Sequence, residues 1–137
     1  MDSYSVEDTI AYAKKLAGEV RPGDIICLDG DLGVGKTVFA QGFAQGLGIT
    51  SPITSPTFTI MNIYESGRLP LYHYDVYRIE DESEMDELGY EEYFFGQGVT
   101  LIEWASQIPD CIPADARHIV IRKNPEKGME YREITCS

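Results

Sequence analysis

Gly30-Asp31-Leu32-Gly33-Val34-Gly35-Lys36-Thr37 decides the fold of this chain. It fits the pattern G-x-x-x-x-G-K-S/T in full, and the spacing has a physical purpose. Glycines let the backbone curl so that successive N–H groups converge on phosphate oxygens, and a helix opening directly afterwards adds its positive N-terminus. Lys36 then places an ammonium near the β- and γ-phosphates, and Thr37 offers a hydroxyl to Mg²⁺. The backbone of Gly30, Asp31, Leu32, Gly33, Val34, Gly35, Lys36 and Thr37 is therefore the expected phosphate cradle. The flanks supply the context the motif requires. Asp24-Ile25-Ile26-Cys27-Leu28 reads as a strand running into a turn at Asp29-Gly30, and 36–47 reads as a helix with Phe39, Phe43 and Leu47 at four-residue spacing and Gly48 as its stop.

Outward from the loop, Ser5-Val6-Glu7-Asp8 has the form of a capping box and opens a helix whose apolar face carries Ile10, Ala13, Ala17 and Val20; Pro22-Gly23 end it. Beyond a Ser/Thr/Pro loop at 50–57, strands are expected at 58–64, 71–77, 99–103, 118–122 and 131–135, with one helix over 83–93. Strands alternating with helices at the front, followed by several strands, predict a three-layer α/β sandwich around a mixed, mostly parallel central sheet. At 137 residues, the expectation is one domain spanning 1–137.

Holding a nucleotide is not yet chemistry. Hydrolysis or transfer needs an acid that orients a metal, a group that positions the attacking atom, and charge compensation at the γ-phosphate. Two strand ends offer acids. Val99-Thr100-Leu101-Ile102-Glu103 closes an apolar run on a carboxylate, and Leu71-Tyr72-His73-Tyr74-Asp75 is the other. The C-terminal ends of parallel strands gather beside such a loop, so Glu103 is the first choice for the metal and Asp75 the second, with joint action open. In the loop after the second helix, Thr57 and Ser55 are candidate hydroxyls for sensing the γ-phosphate through Mg²⁺. His73 reads as a packed, satisfied histidine rather than a base. Arg78 reads as a partner of the neighbouring acids rather than a phosphate ligand.

Charge excludes some functions. There are 23 Asp and Glu against 11 Lys and Arg, a net charge of −12. No Lys or Arg occurs between Ile79 and Ala116, a stretch rich in acids from Glu80 to Asp115. A chain so charged lacks the basic stripe that binds a phosphate backbone directly, so any role with nucleic acid runs through a partner. The acidic stretch is either a solvated helix face or a docking surface. Residues 37–64 carry no charge, but Gln41, Gln45, Pro52 and Pro56 interrupt them, which argues against a bilayer span. Cys27, Cys111 and Cys136 cannot all pair. No secretory signal opens the chain, so a soluble, cytoplasmic protein with reduced cysteines is expected.

Four blocks, in order, resemble the TsaE (formerly YjeE) family: Leu28 to Thr37, then Ser55-Pro56-Thr57-Phe58-Thr59, then His73-Tyr74-Asp75-Val76-Tyr77-Arg78, then Ile102-Glu103-Trp104-Ala105. The first block is generic to P-loop proteins; the others are far more specific. The resemblance implies a P-loop NTPase-like fold that binds ATP or ADP with Mg²⁺, hydrolyses ATP slowly alone, and supports threonylcarbamoylation of adenosine in tRNA with the partner subunits TsaB and TsaD. It implies Thr37 and Glu103 on the metal, Lys36 on the phosphates, Asp75 in support of hydrolysis, Trp104 beside the nucleotide and Thr9 near it. Two other readings remain at this point: a small-molecule phosphotransferase, for which the chain has few basic residues to build a lid, and a non-catalytic assembly factor switched by nucleotide.

Overall fold

Ile25, Ile26, Cys27 and Leu28 are all buried, so the strand they form, β2 (Ile25–Asp29), is covered on both faces, as expected inside a parallel sheet. The computed structural model describes residues 1–31, 33–56 and 58–137. Among them the remaining strands are β1 (Asp2–Ser3), β3 (Met61–Tyr64), β4 (Leu71–Asp75), β5 (Val99–Glu103), β6 (Arg117–Lys123) and β7 (Arg132–Cys136). They join β2 in one sheet of order β1-β7-β6-β2-β5-β4-β3. The four strands β6, β2, β5 and β4 run parallel, and β3, β7 and β1 pair antiparallel at the two edges. This is the mixed α/β sheet expected, parallel through its centre.

One face of the sheet is covered by α1 (Val6–Glu19) and α2 (Lys36–Gly46). Their Ala13, Leu16, Ala17, Phe39, Ala40, Phe43 and Ala44 share a core with Ile26, Leu28, Leu71, Leu101 and Ile119 of the strands. The two helices meet through glycine: a Cβ on Gly42 would lie 2.9 Å from the Ile10 backbone, and one on Gly46 2.7 Å from Ala17 Cβ. Any larger residue there would force the helices apart, so α2, and with it Lys36 and Thr37, has one seat on the sheet. Ser5 caps α1 as expected, its hydroxyl accepting from the Asp8 N–H. At the other end, Arg68 Nη2 donates to the Ala17 and Val20 carbonyls at 2.6 and 2.9 Å, satisfying groups a helix terminus leaves open.

The opposite face carries α3 (Ser83–Glu87), α4 (Tyr90–Phe94) and short 3-10 turns at 105–107 and 109–111. They pack Met85, Phe94 and Ile108 against Cys27, Tyr74, Val76 and Ile102. The helix expected over 83–93 is thus two, because Gly89 is left-handed (φ 65) and ends the first turn pattern. Several acids of this stretch have local work: Glu84 accepts from the Glu80 and Asp81 N–H groups, Asp81 from Ser83, and Glu82 from Asp110.

Two strand boundaries also differ from expectation. β3 begins at Met61 rather than Phe58, because Ile60 is left-handed (φ 68) and its N–H is tied back to the Pro56 carbonyl. β4 stops at Asp75 because Tyr77 N–H turns back onto the Asp75 side chain. β1 was not expected. It pairs with β7 while the Met1 ammonium donates to the Ile134 carbonyl. Among the described residues no helix is long and apolar enough to cross a membrane.

Candidate functional site

The loop after β2 is shaped by close approach. A Cβ on Gly30 would lie 2.6 Å from the Ile121 carbonyl oxygen of β6, so only glycine fits against that strand. Gly35 is left-handed (φ 106) and leads straight into α2 as its N-cap, with no side chain capping the first turn. Those first-turn amides and the helix dipole face the loop, the arrangement that binds an anion. Leu32 lies outside the described residues, as does Thr57.

On one side of the loop a cleft of about 300 Å³ is lined by Gly33, Gly35, Lys36, Thr37, Val38, Ser55, Asp75, Glu103 and Trp104. Residues far apart in the chain therefore meet there. Asp75 and Glu103 end adjacent parallel strands and are register partners, and both are buried. They share the α2 face of the sheet because each stands an even number of residues from a core neighbour, Leu71 or Leu101. The two acids offered as alternatives for the metal therefore stand side by side at the cleft. Asp75 is held by the Tyr77 N–H at 3.0 Å and by the Ser55 hydroxyl at 3.5 Å. Glu103 Oε2 accepts from His73 Nε2 at 2.6 Å.

Lys36 is buried at the centre. Its ammonium donates to the Gly30 carbonyl at 2.6 Å and lies 3.3 Å from the centre of the Trp104 ring. Desolvation lowers its pKa, and the negative charges of Glu103, Asp75, Asp29 and Asp31 pull the other way. Trp104 adopts a left-handed backbone (φ 62) where β5 gives way to a 3-10 turn, with its N–H on the Leu28 carbonyl and its ring against Tyr77 at 4.8 Å. Such a conformation in a bulky residue costs energy and holds the indole over the cleft.

The donor set fits Mg²⁺. Thr37 is exposed in the first turn of α2, and two carboxylates line the same cleft with one ammonium among its described residues. Hydroxyl and carboxylate oxygens are what a hard divalent cation takes, usually together with substrate phosphates.

The opposite side of the loop forms a second cleft, of about 340 Å³, lined by Ser5, Val6, Thr9, Gly33, Val34, Gly35, Val38, Met129, Glu130 and Arg132. Thr9 is here, apart from Lys36 and the acids, and its hydroxyl shares a buried 2.7 Å hydrogen bond with Ser3. Arg132 Nε donates to the Val34 carbonyl at 2.7 Å, and Nη1 to the Met129 and Tyr131 carbonyls. Sequence reasoning passed over Arg132 and Met129, because nothing local marks them; β7 brings them to the loop. Asp31 is exposed and lines neither of these clefts but a neighbouring one, with Gly30, Trp104 and Arg122. Arg78 differs from expectation: among the described residues no acid lies within ion-pair distance, and its guanidinium stacks 4.5 Å over the exposed Phe58 ring. Cation–π contact with an aromatic neighbour replaces the ion pair.

The model of the family described as threonylcarbamoyl adenosine biosynthesis protein TsaE matches residues 3–134. A protein named tRNA threonylcarbamoyladenosine biosynthesis protein TsaE from Bacillus subtilis is 55% identical over 129 residues, covering 94% of this chain and 78% of that protein. The protein of the same name from Treponema pallidum is 40% identical over 135 residues, 98% of this chain and 97% of its own. The crystal structure of Bacillus subtilis YdiB superposes with a TM-score of 0.85 at 46% identity, covering 99% of this chain and 82% of that one. With a glycine loop, strand-end acids and Trp104 gathered in a fold shared at this level, the chain belongs to the TsaE family.

Proposed function

We propose that this chain is a Mg²⁺-dependent P-loop ATPase that supports threonylcarbamoylation of adenosine in tRNA, working with the partner subunits TsaB and TsaD. The observation that carries the reading is the convergence of Lys36, Thr37, Asp75 and Glu103 on one cleft beside the glycine loop. The names of its relatives supply the pathway. The net charge of −12 makes direct contact with tRNA unfavourable, so the link to tRNA runs through the partners.

In this reading the backbone of the loop from Gly30 to Thr37 cradles the phosphates of ATP or ADP, and the Lys36 ammonium leaves its seat on Gly30 to pair with them. Thr37 and Glu103 would hold Mg²⁺, and Thr57 is the proposed further hydroxyl for it. When bound, the cation supplies charge neutralisation at the β- and γ-phosphate oxygens. Asp75, oriented by Tyr77 and Ser55, accepts a hydrogen bond from the attacking water and aims it at the γ-phosphate. Trp104 closes the cleft over the Lys36 side. The base and sugar lie in the second cleft, against Thr9 and Arg132.

The test is reconstituted tRNA threonylcarbamoylation with TsaB and TsaD, comparing this chain with Lys36→Ala. Repeated turnover should require the intact chain and fall at least ~100-fold with the variant, the scale set by losing a positioned charge at a phosphoryl group. Equal turnover with and without the chain would remove the pathway assignment.

A further inference from the structure

His73 is an expensive residue where it stands. It is 1% exposed, pairs in register with Leu101, and faces the same way as Leu71 in the apolar core under α2. Its Nδ1 is buried with no hydrogen-bond partner, and its one polar engagement among the described residues is the 2.6 Å bond from Nε2 to Glu103 Oε2. A buried polar group with half its capacity unmet costs stability, and an apolar side chain of similar volume would serve the core as well. The ring also sits behind the carboxylate: Glu103 lines the cleft and His73 does not.

We infer that His73 is a positioning residue for Glu103, holding Oε2 from behind so that Oε1 is the oxygen offered to the cation. The inference rests on the proposed role of Glu103. The chemistry is that of a hydrogen-bonded carboxylate ligand, whose outer partner fixes its orientation and limits its rotation. A carboxylate 3% exposed with no donor behind it would turn toward Lys36, the one ammonium among the described residues lining its cleft.

The experiment measures Mn²⁺ affinity of the protein–ADP complex by electron paramagnetic resonance. ADP affinity in EDTA is read in parallel from the fluorescence of Trp104, the chain's single tryptophan. Wild type, Glu103→Gln, His73→Leu and His73→Gln are compared, with melting temperatures. His73→Leu should weaken Mn²⁺ by about 10–100-fold while leaving metal-free ADP affinity within about twofold and the melting temperature equal or higher. His73→Gln, which keeps an N–H at the Nε2 position, should recover most of the loss. Wild-type Mn²⁺ affinity in His73→Leu overturns the inference, as does an equal loss of metal-free ADP affinity without recovery by Gln. If His73→Leu does not fold, His73→Met takes its place under the same criteria. A wild-type complex that ignores Mn²⁺, with Glu103→Gln unchanged, overturns the metal role of Glu103 and the inference with it. Metal dependence lost in Glu103→Gln but intact in His73→Leu removes the inference alone.

Discussion

The glycine loop separates two clefts of similar volume that are built by different means. The Lys36 side is assembled from the ends of β4 and β5 and the start of α2, all anchored in the central sheet, and its acids are buried and held by named hydrogen bonds. The Thr9 side is assembled from the ends of the chain, α1 and the β6–β7 return, with Met129 at 92% exposure on its rim. Under the proposed function, chemistry that needs oriented charge would sit where parallel strands give fixed spacing. Binding that needs only surface and a few polar groups would sit where the edge of the sheet supplies it.

If that division is right, substitutions on the two sides should separate turnover from affinity. Asp75→Asn should lower the hydrolysis rate by about 10²–10⁴-fold, the range for a positioned general base, with ADP affinity within a few-fold of wild type. Single-turnover hydrolysis beside ADP titration measures both. If Asp75→Asn still supports tRNA modification with hydrolysis gone, the chain acts as a nucleotide-controlled switch instead. Arg132→Ala should do the reverse, raising KM for ATP about 10-fold, close to 1.4 kcal/mol, with kcat nearly unchanged. A fall in kcat as large as the rise in KM would break the comparison, because it would make the second cleft part of the chemistry.

The smallest effect concerns Lys36 and pH. Burial lowers its pKa below the ordinary lysine value of 10.5, so the folded protein holds this proton less tightly than the unfolded chain does. As pH rises through that depressed value the ammonium is lost, and ADP affinity should fall by up to about tenfold per pH unit beyond it. The fold should move the opposite way. Above the depressed value the unfolded chain binds more protons at this position than the folded one, so the Lys36 contribution to stability rises with pH until the unfolded value is passed. Denaturation of wild type and Lys36→Met across alkaline pH should therefore show the stability advantage of the methionine variant shrinking as pH increases. A constant difference would place Lys36 in water rather than in the cleft.

A similar contrast separates two of the three thiols, with Cys111, half-buried, between them in exposure. Cys27 is buried between β5 and β6, and burial pushes its pKa up to about 12, while Cys136 is exposed at the end of β7. Alkylation of the native protein should label Cys136 first and spare Cys27 until unfolding; labelling sites read by mass spectrometry decide it.

The elements that were legible in the chain are those with a strong local cause. The largely apolar runs at 25–28 and 99–102, short and bounded by turn residues or an acid, read as strands, and the glycine spacing from Gly30 to Gly35 before Lys36 announced an anion-binding turn. The two acids were found because each ends a strand-like stretch, Glu103 the run at 99–102 and Asp75 the mixed stretch at 71–74. The single helix over 83–93 failed because Met85 and Leu88 outweighed Gly89, whose left-handed backbone breaks it. Ile60 could not be read as left-handed at all, since a β-branched residue disfavours that region and only the tied-back turn at Pro56 imposes it.

What the amino-acid order determined by itself is the inventory: a phosphate loop, the helix it opens, two acids at strand ends and a single indole beside one of them. Each depends on neighbours within a few residues, where backbone sterics and periodicity act. What the tertiary structure decided is the partnership. The register of β4 on β5 sets Asp75 beside Glu103 and aims His73 at the back of Glu103, and the antiparallel return of β7 carries Arg132 to the Val34 carbonyl across most of the chain. Those contacts join residues whose separation in sequence bears no relation to their distance in space, because hydrogen-bonded strand pairing, not local propensity, brings them together.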